Sequence, residues 1–177
     1  MFYIFSFSFL YAFPQKIGIE GEVGYVTSNL TLNGFQVASM IQIYPSYRVF
    51  YLTSGLSYQK EAEWNFIKLP LGIGFSPGKK LKFLLGLGLA LNYVNAQKKQ
   101  SDFYYVPLYR EFMLDFYFQM GASVNIWKYC SIFIKPQFNM GLTPLYSENR
   151  KGSSIDYYAE SFSINIGMTY MLYSKNN

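Results

Sequence analysis

Histidine is absent from the 177 residues, and cysteine occurs once, at Cys130. Without histidine, the usual general base of nucleophilic triads and the commonest zinc ligand are both missing. No catalytic, cofactor-binding or metal-ligating residue is therefore assigned, and no cofactor is expected. One cysteine closes no internal disulfide, and Cys130 lies too far from the N-terminus to carry a lipoprotein acyl chain. Charge is scarce: 14% of residues are Asp, Glu, Lys or Arg, against about 25% in an ordinary soluble domain. The net charge of +5 is dispersed along the sequence, which does not make the basic stripe of a nucleic-acid-binding surface. Long apolar runs are missing as well. A membrane-spanning helix needs about 18 or more consecutive apolar residues. The best candidate, residues 81–91, is shorter and is interrupted by Lys82, Gly86 and Gly88.

What is present is apolar side chain in alternation. Hydrophobic residues make up 51% and aromatics 21%, too much apolar surface for so little charge unless something other than water solvates part of the exterior. Mean hydropathy is nevertheless close to zero, because Gly, Ser, Asn, Gln and Thr are interleaved with the apolar residues. A period of two predicts eight strands, at 16–27, 34–44, 49–59, 65–75, 81–93, 111–125, 130–142 and 160–173. The fifth is the most regular: Leu81, Phe83, Leu85, Leu87, Leu89, Leu91 and Tyr93 share one face. Connections after even-numbered strands are tight, and those after the fifth and seventh, at 96–110 and 143–159, are long. This layout predicts one domain, an all-β, eight-stranded, antiparallel up-and-down transmembrane β-barrel with its termini on the short-turn, periplasmic side. Residues 1–15 read as a signal peptide or its remnant, 16–173 as the barrel, and 174–177 as a periplasmic tail.

Alternation alone does not say which face is outside, and a soluble lipid-binding barrel would turn its apolar face inward. The other face here is mostly Gly, Ser, Asn, Gln and Thr, a poor soluble exterior but a good filling for a narrow lumen. Most strand glycines lie on it, leaving space for bulky inward neighbours such as Tyr51, Tyr117 and Phe133; Gly21 is the exception. Aromatics on the apolar face fall in two bands. Tyr25, Phe35, Tyr58, Tyr93, Phe112 and Phe162 lie near the long loops, and Phe50, Phe75, Trp127, Tyr129 and Tyr170 near the short turns. Such bands flank the hydrocarbon layer in membrane barrels. Pro70 and Pro136 each delete a ladder donor, so a bulge is expected at both.

At this point the residues carry a resemblance. The run Phe50-Tyr51-Leu52-Thr53-Ser54-Gly55-Leu56-Ser57-Tyr58-Gln59-Lys60, followed by Ile67-Lys68-Leu69-Pro70-Leu71, resembles the PorT-like and OmpX-like outer-membrane β-barrels of the Bacteroidota. Asn165, Gly167, Tyr170 and Leu172 are similar to the C-terminal signal read by the barrel-assembly machinery. The resemblance implies a Gram-negative outer-membrane location and that machinery as a partner. It also implies an accessory role in secretion or envelope assembly as one alternative.

The predicted lumen holds few charges: Glu20, Glu22, Lys68, Lys82, Asp115 and Lys135. They fit a proton path or ion constriction, or else a paired network that plugs the barrel. The narrowness of eight strands and the cost of unpaired buried charge favour the network of Glu20, Glu22, Lys68, Asp115 and Lys135. Membrane-barrel enzymes of the lipid A deacylase, phospholipase and omptin types resemble one another in relying on histidine, so their mechanisms are not open to this chain. The long loops carry Lys98, Lys99, Tyr104, Tyr105, Tyr109, Arg110, Tyr146, Arg150, Lys151, Tyr157 and Tyr158. Such aromatic and basic side chains could grip lipopolysaccharide phosphates or an envelope or secretion protein, or simply face the headgroup layer. The reading that follows is a monomeric, non-catalytic outer-membrane barrel with a structural or surface-binding role. A secretion accessory, a narrow channel and a soluble lipid-binding barrel stand as alternatives.

Overall fold

The computed structural model describes residues 16–29, 33–45, 49–61, 64–96, 108–109, 111–150 and 153–174. In chain order the strands are β1 (Lys16–Ser28), β2 (Gly34–Tyr44), β3 (Phe50–Glu61), β4 (Trp64–Phe75), β5 (Leu81–Ala96), β6 (Leu108–Tyr109), β7 (Phe112–Trp127), β8 (Cys130–Gly141), β9 (Tyr146–Arg150), β10 (Ser153–Tyr157) and β11 (Glu160–Ser174). Eight of them, β1, β2, β3, β4, β5, β7, β8 and β11, each pair antiparallel with the next, and β11 pairs back onto β1. Closure leaves no open edge among the eight barrel strands, which hydrocarbon requires because it offers backbone amides no alternative partner. Among the described residues no helix is long and apolar enough to cross a membrane.

The polar residues are the buried ones. Asn92, Ser163 and Asn165 are 0% exposed, whereas Leu71 and Leu81 on the outer face are 64% and 65% exposed. This burial pattern inverts that of a soluble barrel and leaves a continuous apolar outer belt. Inside, glycine makes room for rings. A Cβ at Gly74 would fall within the Tyr51 ring, one at Gly72 would strike the Tyr117 hydroxyl, and one at Gly167 would meet Phe133. Gly21 points the other way and meets no atom within 4 Å, so it belongs to the lipid-facing surface.

The aromatic bands are visible as ring pairs on neighbouring strands. Phe35 and Tyr58 (5.9 Å between centroids) and Tyr93 and Phe112 (5.5 Å) lie at the long-loop end. Phe50 and Phe75 (4.9 Å) lie at the short-turn end. At the long-loop band the phenol tips find polar partners: Tyr25 donates to Asn33 Oδ1 at 2.7 Å and Tyr58 to Asn65 Oδ1 at 2.8 Å. An amphipathic ring with one wet end is what a membrane interface selects.

Three expectations are corrected. Neither Pro70 nor Pro136 makes a bulge. Pro70 pairs in register with Ala90, and Pro136 with Ile164. The β3–β4 register is the same on both sides of Pro70, and the β7–β8 register on both sides of Pro136. An antiparallel residue directs its amide at one neighbour only, so each proline loses a donor on one side and leaves the other ladder intact. The register shifts fall instead between Ile17 and Gly18 and between Asn125 and Trp127, near the short turns. Third, the long connections are not simply loops: β6, β9 and β10 form a three-stranded sheet, with β9 in the middle.

Candidate functional site

The lumen is filled in layers. Toward the short turns, the Lys135 ammonium on β8 sits between two carboxylates of β1. It pairs with Glu20 and lies 2.8 Å from Glu22 Oε2. All three residues are at most 3% exposed. Glu20 also accepts hydrogen bonds from Gln42 Nε2 (2.5 Å) and Thr169 Oγ1 (3.4 Å), and Glu22 accepts one from Gln36 Nε2 at 3.3 Å. Lys135 lies over the Phe133 ring, 4.4 Å from its centroid. Buried charge this well surrounded is held in place by pairing, because an unpaired ion in the same position would lose several kcal/mol of hydration.

Nearer the long loops, Lys68 Nζ and Asp115 Oδ2 stand 3.5 Å apart. The five predicted network residues are thus all inward and buried, but they divide into a triad and a separate pair. Around Lys68, the side chains of Gln36, Ser57, Tyr117, Gln119 and Asn139 surround a cavity of about 20 Å³ for the centre of a water molecule. A second cavity, bordered by Glu20, Tyr44, Ser76 and Thr169, offers about 10 Å³. One water needs about 10–15 Å³ on this measure, so each holds about one. Gln137 donates to Asn139 (2.7 Å) and Asn139 to Ser161 (3.1 Å), continuing the filling around the wall.

Several interior residues escaped the sequence reading, among them Glu61 and Leu145. Glu61 is 1% exposed and accepts hydrogen bonds from Ser28 and Gln59. Its signal was the inward run Ser57, Gln59, Glu61, cut short by ending the strand at 59. Leu145, in the connection after β8, is completely buried against Phe66, Val94 and Met113, with Trp64, Tyr146 and Ala159 packed around them. This cluster caps the long-loop mouth. The chain is pinned there by backbone bonds from Leu142 to Leu114 (2.7 Å) and from Leu145 to Tyr157 (2.7 Å), and by Leu114 donating to Thr143 Oγ1 at 2.9 Å. A lone leucine among polar loop residues was the available clue.

The loop residues are placed unevenly. Tyr146 and Tyr157 face each other across β9 and β10, stacked at 4.5 Å with 15° between planes. Tyr109 pairs with Tyr146 in backbone register, which ties the two long connections together, and Tyr158 is exposed. Arg150 ends β9, opposite Ser153. Lys98, Lys99, Tyr104, Tyr105, Arg110 and Lys151 lie outside the described residues, as do residues 1–15 and 175–177. On β11, Asn165 and Gly167 face the lumen, while Tyr170 and Leu172 face outward. Ser174, expected to begin the tail, still pairs with Lys16. Lys82 is half-buried at the short-turn mouth.

A closed eight-stranded meander, apolar outside and polar within, defines a small transmembrane β-barrel of the outer-membrane type. No family model matches the chain, and no curated protein matches it in sequence. Among solved structures it is similar to neisserial surface protein A (TM-score 0.61, 10% identity, 88% of this chain and 95% of that one). It is also similar to the N-terminal β-barrel domain of Pseudomonas aeruginosa OprF (TM-score 0.60, 12% identity, 90% and 98%). A third is the outer-membrane protein OprG from the same organism (TM-score 0.60, 8% identity, 91% and 98%). The likeness reaches the barrel class and does not single out the PorT-like branch.

Proposed function

We propose that this chain is a monomeric, non-catalytic outer-membrane barrel with both termini in the periplasm, and that it acts through its long-loop end in a structural or surface-binding role. One observation carries this reading: the lumen is plugged in series by the Lys135–Glu20–Glu22 triad, a tyrosine and amide layer with water-sized gaps, and the apolar cap around Leu145. A filled barrel offers no conduit, so its distinguishing surface is what it presents at its ends. At the long-loop end that surface is built rather than loose, because β6, β9 and β10 bind the two long connections into one sheet. Basic and aromatic loop residues supply the chemistry to grip lipopolysaccharide phosphates or an envelope protein.

The test is complementation of a deletion strain. Chains with 97–107 and 147–156 replaced by short Gly-Ser turns, retaining Leu145, are compared with lumen variants, and folding is verified by the heat-dependent gel shift. Loss of complementation by the folded loop variant is expected. Full complementation by that variant removes the reading, and discrete conductance steps from the unaltered chain in planar bilayers replace it with a channel.

A further inference from the structure

The acidic residues, unlike the cations, are unevenly distributed along the barrel axis. No Asp or Glu occurs at 1–19, 23–60, 64–101, 116–147 or 161–177. Apart from Glu20 and Glu22, which Lys135 engages, every acidic residue among the described residues therefore belongs to the long-loop half. The short-turn half holds Lys16, Lys79, Lys80, Lys82 and Lys128. Three of them converge. Lys16 and Lys82 continue the inward faces of β1 and β5, Lys128 comes from the β7–β8 turn, and together with Asn125, Ser131 and Tyr129 they line a cup of about 210 Å³ at the lumen mouth. The Lys128 ammonium rests 5.2 Å from the centre of the Tyr129 ring, which holds it at the rim.

Three ammonium groups around one concavity repel one another, and a concave wall of low dielectric raises the potential between them. Among the described residues no carboxylate lines the cup, although Lys82 also borders the smaller cavity that Glu20 lines. The arrangement contrasts with the triad deeper in the lumen, where two carboxylates answer one lysine. A polyvalent anion would relieve the repulsion and accept hydrogen bonds from the ammonium groups and from the Ser131 and Tyr129 hydroxyls. The volume lies below the about 300–1,000 Å³ of pockets for drug-sized ligands, so the cup suits one small headgroup.

We propose that this cup is a phosphate-binding site, with Lys16, Lys82 and Lys128 as its cationic ligands. The phosphate comes either from an anionic phospholipid headgroup at the adjoining leaflet or from a soluble phosphorylated molecule on the same side of the membrane. The site is independent of the loop-end reading above and survives or fails separately from it.

The experiment uses the full chain folded in maltoside detergent, which contributes no phosphate. Pyrophosphate is titrated by calorimetry, and retention of phosphatidylglycerol against phosphatidylcholine is followed by native mass spectrometry. Saturable pyrophosphate binding identifies the soluble source, and selective phosphatidylglycerol retention identifies the lipid source. In either case Lys16→Gln/Lys82→Gln/Lys128→Gln is expected to weaken binding at least tenfold, and Lys60→Gln at the opposite end to leave it unchanged. If the triple variant does not reach its heat-resistant form, Lys128→Gln alone, in a turn, carries the comparison with a several-fold loss expected. Binding of neither probe, or binding that survives the substitutions, overturns the proposal.

Discussion

Lys135 Nζ on β8 reaches 2.8 Å from Glu22 Oε2 on β1, across the intervening strand β11. The pair therefore spans the seam where the last strand closes on the first. Replacing Lys135 by Met strands Glu20 and Glu22 together in a packed lumen, and removing one partner of a buried ionic group costs about 3–5 kcal/mol. Lys135→Met is expected to lose that much in urea unfolding from lipid vesicles. Adding Glu20→Gln and Glu22→Gln should recover most of the loss, since no net charge is then left behind. A loss below about 1 kcal/mol for Lys135→Met alone would mean that the carboxylates are already neutral or hydrated, and the triad would not be a structural plug.

The glycines give a paired comparison. At Gly74 a methyl group would enter the Tyr51 ring, whereas at Gly21 it would meet nothing within 4 Å. Gly74→Ala forces the ring off its position in a filled interior, a change that costs about 1–3 kcal/mol. Gly21→Ala adds a methyl group to the lipid-facing surface and reduces the freedom of the unfolded chain, so it should lie within about 0.5 kcal/mol of the parent or be more stable. The same vesicle unfolding assay ranks the two, and equal losses would contradict the inward and outward assignment of these strands.

The outer face is tested by depth. Leu89 pairs with Leu71 and Phe116 near mid-strand, and Phe112 sits in the aromatic band at the long-loop end. An arginine at the hydrocarbon midplane of a barrel costs about 2–4 kcal/mol, and one near the interface about 0–1 kcal/mol. Leu89→Arg should therefore be clearly more damaging than Phe112→Arg in unfolding from bilayers. In a soluble barrel with leucine inside, Leu89→Arg would prevent folding while Phe112→Arg would be equally buried and equally harmful.

The barrel was readable because its strands carry a strict two-residue period, and in β5 the run from Leu81 to Tyr93 leaves no other secondary structure open. The outward direction was readable from what the second face lacks, namely charge. The loop sheet was not. Tyr146-Ser147-Glu148-Asn149-Arg150 has no apolar face, and its pairing with Leu108 and Tyr109 depends on a distant segment that alternation does not reveal. Glu61 and Leu145 were missed for different reasons: the first lay beyond a strand ended too soon, and the second is a tertiary contact made by a connection. The division of the five interior charges into Lys135 with two glutamates and Lys68 with Asp115 follows from register around the barrel, which a single sequence leaves open.

The order of the plugs along the axis makes the last expectation specific. Leu145 caps the long-loop mouth, Tyr117 and its amide neighbours fill the middle, and Tyr51 lies over Gly74 toward the short turns. Barriers in series are governed by the tightest that remains, so removing one should not open the lumen. Leu145→Ala is expected to loosen the cap locally, speeding amide exchange at Leu145 and Val94, while the barrel stays folded and electrically silent in planar bilayers. Tyr51→Ala or Tyr117→Ala alone should be silent too, because the cap and the Lys135 triad persist. Even Leu145→Ala/Tyr51→Ala/Tyr117→Ala should stay silent while the Lys135 triad persists, and only adding Lys135→Ala/Glu20→Ala/Glu22→Ala removes filling from every layer and is expected to pass small, discrete currents. Conductance in Leu145→Ala by itself would place the whole barrier in the cap, and the lumen behind it would then be a water-filled passage rather than a packed interior.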